Sequence, residues 1–142
     1  MNLKKLVNLQ STKMNSLISS FEDIKKELSD VQGFLEITMS EDANEAVVRG
    51  NDLAVYMART GKLVADSKYH RDQKLRSEMI KEYQKLLDFP ASVAVKYTDT
   101  LVESETYLMT WATRLNASCT HQLDWCRTII SKAKAEMQSF HG

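Results

Sequence analysis

The chain is short of the residues that turn a backbone. One proline and four glycines stand among 142 residues, whereas sheets need clusters of glycine, proline and asparagine to reverse their strands. That scarcity argues against a many-stranded fold and for a few long helices. Charge of one sign is missing too: Lys+Arg and Asp+Glu number 19 each, so net charge gives no support to general polyanion binding. No apolar run approaches the roughly 20 residues that a spanning helix requires, and no membrane partner is expected. In the opening "MNLKKLVNLQSTK", Asn8, Gln10, Ser11, Thr12 and Lys13 break the apolar stretch too soon for a signal peptide. Two cysteines and seven methionines without an export signal fit a reducing, cytoplasmic setting. A phosphate-binding loop, Gly-x-Ser-x-Gly, Cys-x-x-Cys and Glu-x-x-His are all absent. Neither an enzymatic activity nor a cofactor is expected.

What is present reads as one domain of 142 residues with 43% hydrophobic and 27% charged residues. From the start, Leu3, Val7, Met14, Leu17, Phe21, Ile24, Leu28, Val31 and Leu35 follow alternating steps of three and four, interrupted at Gln10. That heptad register predicts a first helix over 1–38 with a coiled-coil-like seam, widened by Leu6, Ile18 and Phe34. Thr38 with Glu41 three residues on is a candidate capping box that separates it from a second helix over 40–88. The first half of that helix carries a seam of small residues: Ala43, Ala46, Gly50, Ala54, Ala58, Gly61 and Ala65. Small side chains let a neighbouring backbone approach closely. Gly61 could end one helix and begin another, but Lys62 to Ala65 resume in phase, which favours one continuous helix. Pro90 can open a helix but not sit inside one. A turn is therefore predicted near Asp88 and Phe89, then a short helix through Val95, a restart near Thr100 boxed by Glu103, and a long last helix to Phe140. The fold class is all-α: an elongated antiparallel bundle of three long helices with a short extra helix after Pro90.

The stretch "NASCTHQLDWCRTIISKAKAEM", residues 116–137, brings two cysteines, a histidine, an aspartate and a tryptophan close in sequence. At about 100° per residue, Cys126, Leu123, Ile130, Ala133 and Met137 fall on the side of Cys119, while His121, Asp124 and Thr128 fall opposite. The thiols and the imidazole therefore cannot share one metal ion. Seven helical residues also separate the two cysteines by about 10 Å, too far for a disulfide. Both read as buried small hydrophobes.

Two surface groups remain. Tyr107, Trp111, Arg114, His121 and Trp125 form a candidate partner-binding stripe, since tyrosine, tryptophan and arginine are favoured interface anchors. Lys68, Arg71, Lys74, Arg76 and Arg127, with Tyr69, His70 and Tyr83 interleaved, form a candidate nucleic-acid-binding stripe. Asp66 and His70 lie one turn apart, which admits a metal site, but a bundle metal centre needs several inward carboxylates. Exposed salt bridges at i, i+4 are the simpler expectation there.

The segments "ADSKYHRDQ" (65–73) and "YLMTWATRLNASCTHQLDWCRTIISKAKAEM" (107–137), after a long helical lead-in, resemble small uncharacterised helical proteins of bacterial phages and integrated mobile elements. The likeness spans about the last two-thirds of the chain. It implies a bacterial accessory protein, beside replication or recombination functions, and carries over no catalytic residue. The combined expectation is a non-enzymatic, oligomeric interaction protein, a dimer first, with nucleic-acid binding as the alternative. Apolar flanks left by so few helices within one chain are the reason to expect self-association.

Overall fold

A computed structural model describes residues 2–141 of the chain; Met1 and Gly142 lie outside the described residues. The fold is an all-α bundle, and no strand occurs among the described residues. Among the described residues six helices follow in order: α1 (Leu3–Leu17), α2 (Phe21–Leu35), α3 (Ala43–Lys81), α4 (Tyr83–Leu87), α5 (Ala91–Leu101) and α6 (Glu103–His141). Two of these, α3 and α6, are 39 residues long, about 58 Å each at 1.5 Å per residue. They pack antiparallel along most of their length, and α2 lies against both. In that register Gly50 faces Leu123 and Cys126, Asn116 bonds to Met57 and Thr60, and Lys74 meets Glu105.

The α3–α6 contact follows heptad rows on both helices. In α3 the row is Ala46, Gly50, Leu53, Met57, Thr60, Val64 and Ser67; in α6 it is Leu108, Ala112, Leu115, Cys119, Gln122, Cys126 and Ile129. Most of these side chains are buried. Only part of the small-residue seam expected in α3 is used: Ala46 is buried and Gly50 half-buried, but Ala54, Ala58, Gly61 and Ala65 are exposed. Helix α3 runs unbroken through Gly61 and ends at Lys81, before the expected boundary at 88. At Gly50 a Cβ would lie 3.6 Å from the Leu123 side chain and 3.9 Å from Cys126 Cβ, ordinary van der Waals contact, so the close packing of α6 does not require glycine there.

Polar groups in the row are satisfied locally. Thr60 Oγ1 donates to the Tyr56 carbonyl at 2.8 Å, Ser67 Oγ donates to the Leu63 carbonyl at 2.7 Å, and Asn116 Nδ2 donates to the Met57 carbonyl at 2.8 Å. Glu105, at 9% exposure, accepts from Lys74 Nζ at 3.0 Å.

The expected first helix over 1–38 is in fact two helices, which corrects the three-rod picture. Ile18 is extended (φ −99°, ψ 125°) and Ser20 caps α2 by accepting from the Asp23 amide at 3.2 Å. Serine is a poor interior residue but a strong cap, and Glu22 and Asp23 suit the positive end of the helix dipole. Heptad spacing alone does not register such a break. The consequence is unequal burial: Ile24, Leu28, Val31 and Leu35 of α2 are buried, whereas α1 has no buried residue. The second turn also shifts. Asp42, not Thr38, caps α3, accepting from the amides of Asn44 at 2.9 Å and Glu45 at 3.0 Å. Pro90 stands immediately before α5 as the residue spacing predicts, but α5 continues past Val95 to Leu101. Thr100 is no cap, since its hydroxyl donates to the Tyr97 carbonyl at 2.6 Å; the chain kinks at Val102 (φ −123°, ψ 27°) and α6 follows.

Cys119 and Cys126 are 0% and 1% exposed on the α3-facing row, while His121 is exposed. The thiols and the imidazole thus point apart. Burial pushes both thiol pKa values up, and for Cys126 the smaller influence of Arg49 acts in the opposite sense. A group whose folded-state pKa is raised contributes stability that is intact below its unfolded value and lost as pH climbs through the raised one. Unfolding should therefore be eased by these thiols only above the ordinary thiol range, near ~8.5. Alkylation of the folded chain at pH 8 is expected to run at least roughly a hundredfold slower than in denaturant, with both thiols reacting on unfolding. Rapid labelling of either thiol in the folded chain would contradict this packing.

Candidate docking surface

The α2–α3 connection is short and firmly held. Arg49 Nη2 donates to the carbonyls of Phe34 at 3.3 Å and Ile37 at 3.0 Å, and to Gln122 Oε1 at 2.8 Å. Its guanidinium also lies 4.6 Å from the Phe34 ring centroid, a cation–π geometry. Gln122 returns a bond, donating from Nε2 to the Leu35 carbonyl at 2.9 Å. One arginine and one glutamine therefore tie α2, α3 and α6 together at this end of the bundle. Neither residue was expected from the sequence to do this. The signals were an arginine inside "AVVRG" and a glutamine at a seam position that apolar residues otherwise fill.

Apolar surface stays open around this pinned connection. A cavity of about 450 Å³ is lined by Phe34, Ile37, Met39, Ala46 and Val48, with Glu45 and Asp52 among its polar residues. A second concavity on the other side of the connection is formed by Leu35, Ile37, Met39, His121 and Trp125. Ile37 is 60% exposed, Val48 62% and Trp125 50%. Such apolar surface beside a rigid backbone is typical of sites that receive a partner.

The proposed partner-binding residues do not form one patch. His121 and Trp125 join the concavity at the α2–α3 connection. Trp111 is half-buried, and its indole Nε1 donates to Gln32 Oε1 at 3.0 Å, so it ties α6 to α2. Tyr107 is exposed beside Trp111, with ring centroids 6.1 Å apart. Along α6 it stands about 27 Å from Trp125. Arg114 is exposed between them.

The basic residues are likewise dispersed. Lys68 pairs with Asp72 at 3.4 Å, Lys74 with Glu105 at 3.0 Å, and Arg127 with Asp124 at 2.9 Å. Arg71 is half-buried with its Nε enclosed, and Arg76 is exposed. The antiparallel register carries Arg127 roughly 33 Å along α6 from Glu105, the partner of Lys74. The structure therefore does not join Arg127 to the other four.

Asp66 and His70 do come together, around a backbone. Asp66 is 6% exposed and accepts from the Ser19 amide at 3.1 Å and from Lys62. His70 Nε2 lies 2.6 Å from the Ser19 carbonyl oxygen. A carbonyl only accepts, so that ring nitrogen carries the proton. The pair holds the α1–α2 junction instead of forming the exposed salt bridge expected; Lys68–Asp72 is the exposed one. Among the described residues no three His, Cys, Asp or Glu side chains are grouped to hold a metal ion, and no helix is long and apolar enough to cross a membrane.

Comparison with known protein families, curated proteins and solved structures finds no match to this chain.

Proposed function

We propose that this chain is a non-enzymatic helical interaction protein that self-associates, and that its docking surface is the one around the α2–α3 connection. The observation that carries this reading is the coincidence of open apolar surface (Ile37, Val48 and Trp125) with a backbone pinned by Arg49 and Gln122. A rigid, partly apolar surface loses little conformational entropy on binding, which favours affinity. Tryptophan anchors commonly dominate such interfaces. The resemblance to phage and mobile-element proteins adds a setting to the proposal: an accessory protein of such an element.

Light scattering and sedimentation across micromolar concentrations test it. Self-association is expected, and Trp125→Ala should weaken it about tenfold or more. Because Trp125 is half exposed, that variant is expected to unfold at nearly the wild-type denaturant midpoint. A chain that stays monomeric throughout overturns the proposal.

A further inference from the structure

We infer that α1 of a second copy is the helix that seats on the acid-rimmed apolar face beside the α2–α3 connection; this rests on the function proposed above and names its partner.

Helix α1 is formed but unused. Its side chains Leu3, Leu6, Val7, Met14 and Leu17 are 41–78% exposed, and at about 100° per residue they fall within one arc of roughly 100°. An isolated helix of 15 residues is marginal in water and gains most of its stability by burying such an arc. The charges of α1 are of one sign: Lys4, Lys5 and Lys13, with no acid between Leu3 and Leu17. Lys13 falls about 20° beyond one edge of the apolar arc and Lys4 about 60° beyond the other.

The face around the α2–α3 connection has the opposite character. Glu45 and Asp52 line the cavity, and Glu41 is exposed on the connection itself. Arg49 is the one cation among the lining residues, and its Nη2 is already committed to the Phe34 and Ile37 carbonyls. Among the described residues the carboxylates of Glu41, Glu45 and Asp52 make no ion pair, and neither do the three lysines of α1. Glu45 and Asp52 lie about 10 Å apart along α3, and Lys4 and Lys13 about 13 Å apart along α1. Apolar arc meets apolar cavity, and flanking cations meet flanking carboxylates. Complementarity of this kind fixes both partner and register.

The donor helix comes from another copy for a geometric reason. Within one chain α1 leaves the body at Ser19, which Asp66 and His70 hold, about 30 Å along α3 from Ala46. Folded straight back, α1 at about 22 Å would bring only its first turn to the near edge of the cavity. A second copy can lay the whole arc across it. Each chain has one such helix and one such face, so the exchange can be reciprocal.

Charge reversal in the full-length chain tests the pairing by sedimentation at low and high salt. Lys4→Glu/Lys5→Glu/Lys13→Glu is expected to weaken self-association tenfold or more, as is Glu45→Lys/Asp52→Lys. Mixing the two variants should restore hetero-association, because each then supplies what the other needs. All the altered side chains are exposed, so urea unfolding should leave each variant folded. If the wild type self-associates but neither reversal changes its affinity, this inference fails while the proposed function stands. If the wild type remains monomeric, both fail. If the α1 reversal abolishes binding to anionic lipid vesicles while leaving self-association intact, α1 belongs to a membrane surface and the inference is overturned.

Discussion

Leu28→Ala is expected to lower the free energy of unfolding by about 2–5 kcal/mol, whereas Leu6→Ala should change it by less than about 0.5 kcal/mol. Leu28 lies in the heptad seam and Leu6 beside it, and the two differ chiefly in surroundings. Leu28 is 0% exposed in the groove between α3 and α6, while Leu6 is 41% exposed on α1. Truncating Leu28 removes transferred apolar surface and leaves a cavity among Ile24, Val31 and their neighbours. The α3–α6 pair cannot close that cavity without breaking its own register. Stability of folded domains is about 5–15 kcal/mol, so the loss is a large fraction of the total. With a urea slope of about 2 kcal/mol per M, the midpoint should fall by roughly 1–2.5 M. Urea titration at submicromolar chain concentration makes the comparison, because dilution removes any contribution from self-association. Equal effects from the two leucines would mean that α1 is packed on its own chain.

Periodicity carried most of the fold and little of the docking surface. Helical spacing marked Ile24, Leu28, Val31 and Leu35 and, on α6, Cys119 and Cys126, all of which are buried. It also separated the thiols from His121. A heptad, however, records only that one side of a helix is apolar. It is silent on whether a partner is present, so Leu3 to Leu17 read the same as Phe21 to Leu35 despite their opposite burial. The break between them depends on Ser20 as a local cap and on Ser19, whose amide and carbonyl are satisfied from residues 47 and 51 positions further along the chain. No local pattern reports such a contact. Arg49 was illegible for the same reason, since its acceptors are carbonyls of another helix's end. The aromatic stripe was visible as residue types, but its division depended on tertiary contacts: Trp111 meets Gln32, and Trp125 meets the connection. Met137 shows the complementary failure. It continues the buried side of α6, yet is 65% exposed, because Gly50 faces Leu123 and Cys126 and α3 has no residue left to cover it.

Asp66→Ala is expected to destabilise the chain by about 1–3 kcal/mol and to loosen the α1–α2 junction in particular. The carboxylate has two partners of unequal importance. Lys62 is 41% exposed at its side chain, so losing that pair returns an ammonium to water at little cost. The Ser19 amide is different. It is part-buried and bonds to Asp66 at 3.1 Å, so the unmade bond carries most of the effect. Asp66→Asn separates the two contributions. Its amide oxygen can still accept from Ser19 while the ion pair is gone, so it should cost about 1 kcal/mol or less. Hydrogen exchange gives the local readout. In Asp66→Ala, protection at Ser19 and the first turn of α2 should drop, while amides beside Leu28 and Val31 follow only the global change. His70→Ala removes the other half of the clamp, but a carbonyl has two lone pairs and a water can replace the imidazole as its donor, so the loss should be smaller than for Asp66→Ala. Equal losses in Asp66→Ala and Asp66→Asn would assign the stabilisation to the Lys62 charge and not to the amide. The junction would then be held by the apolar packing of α2 alone.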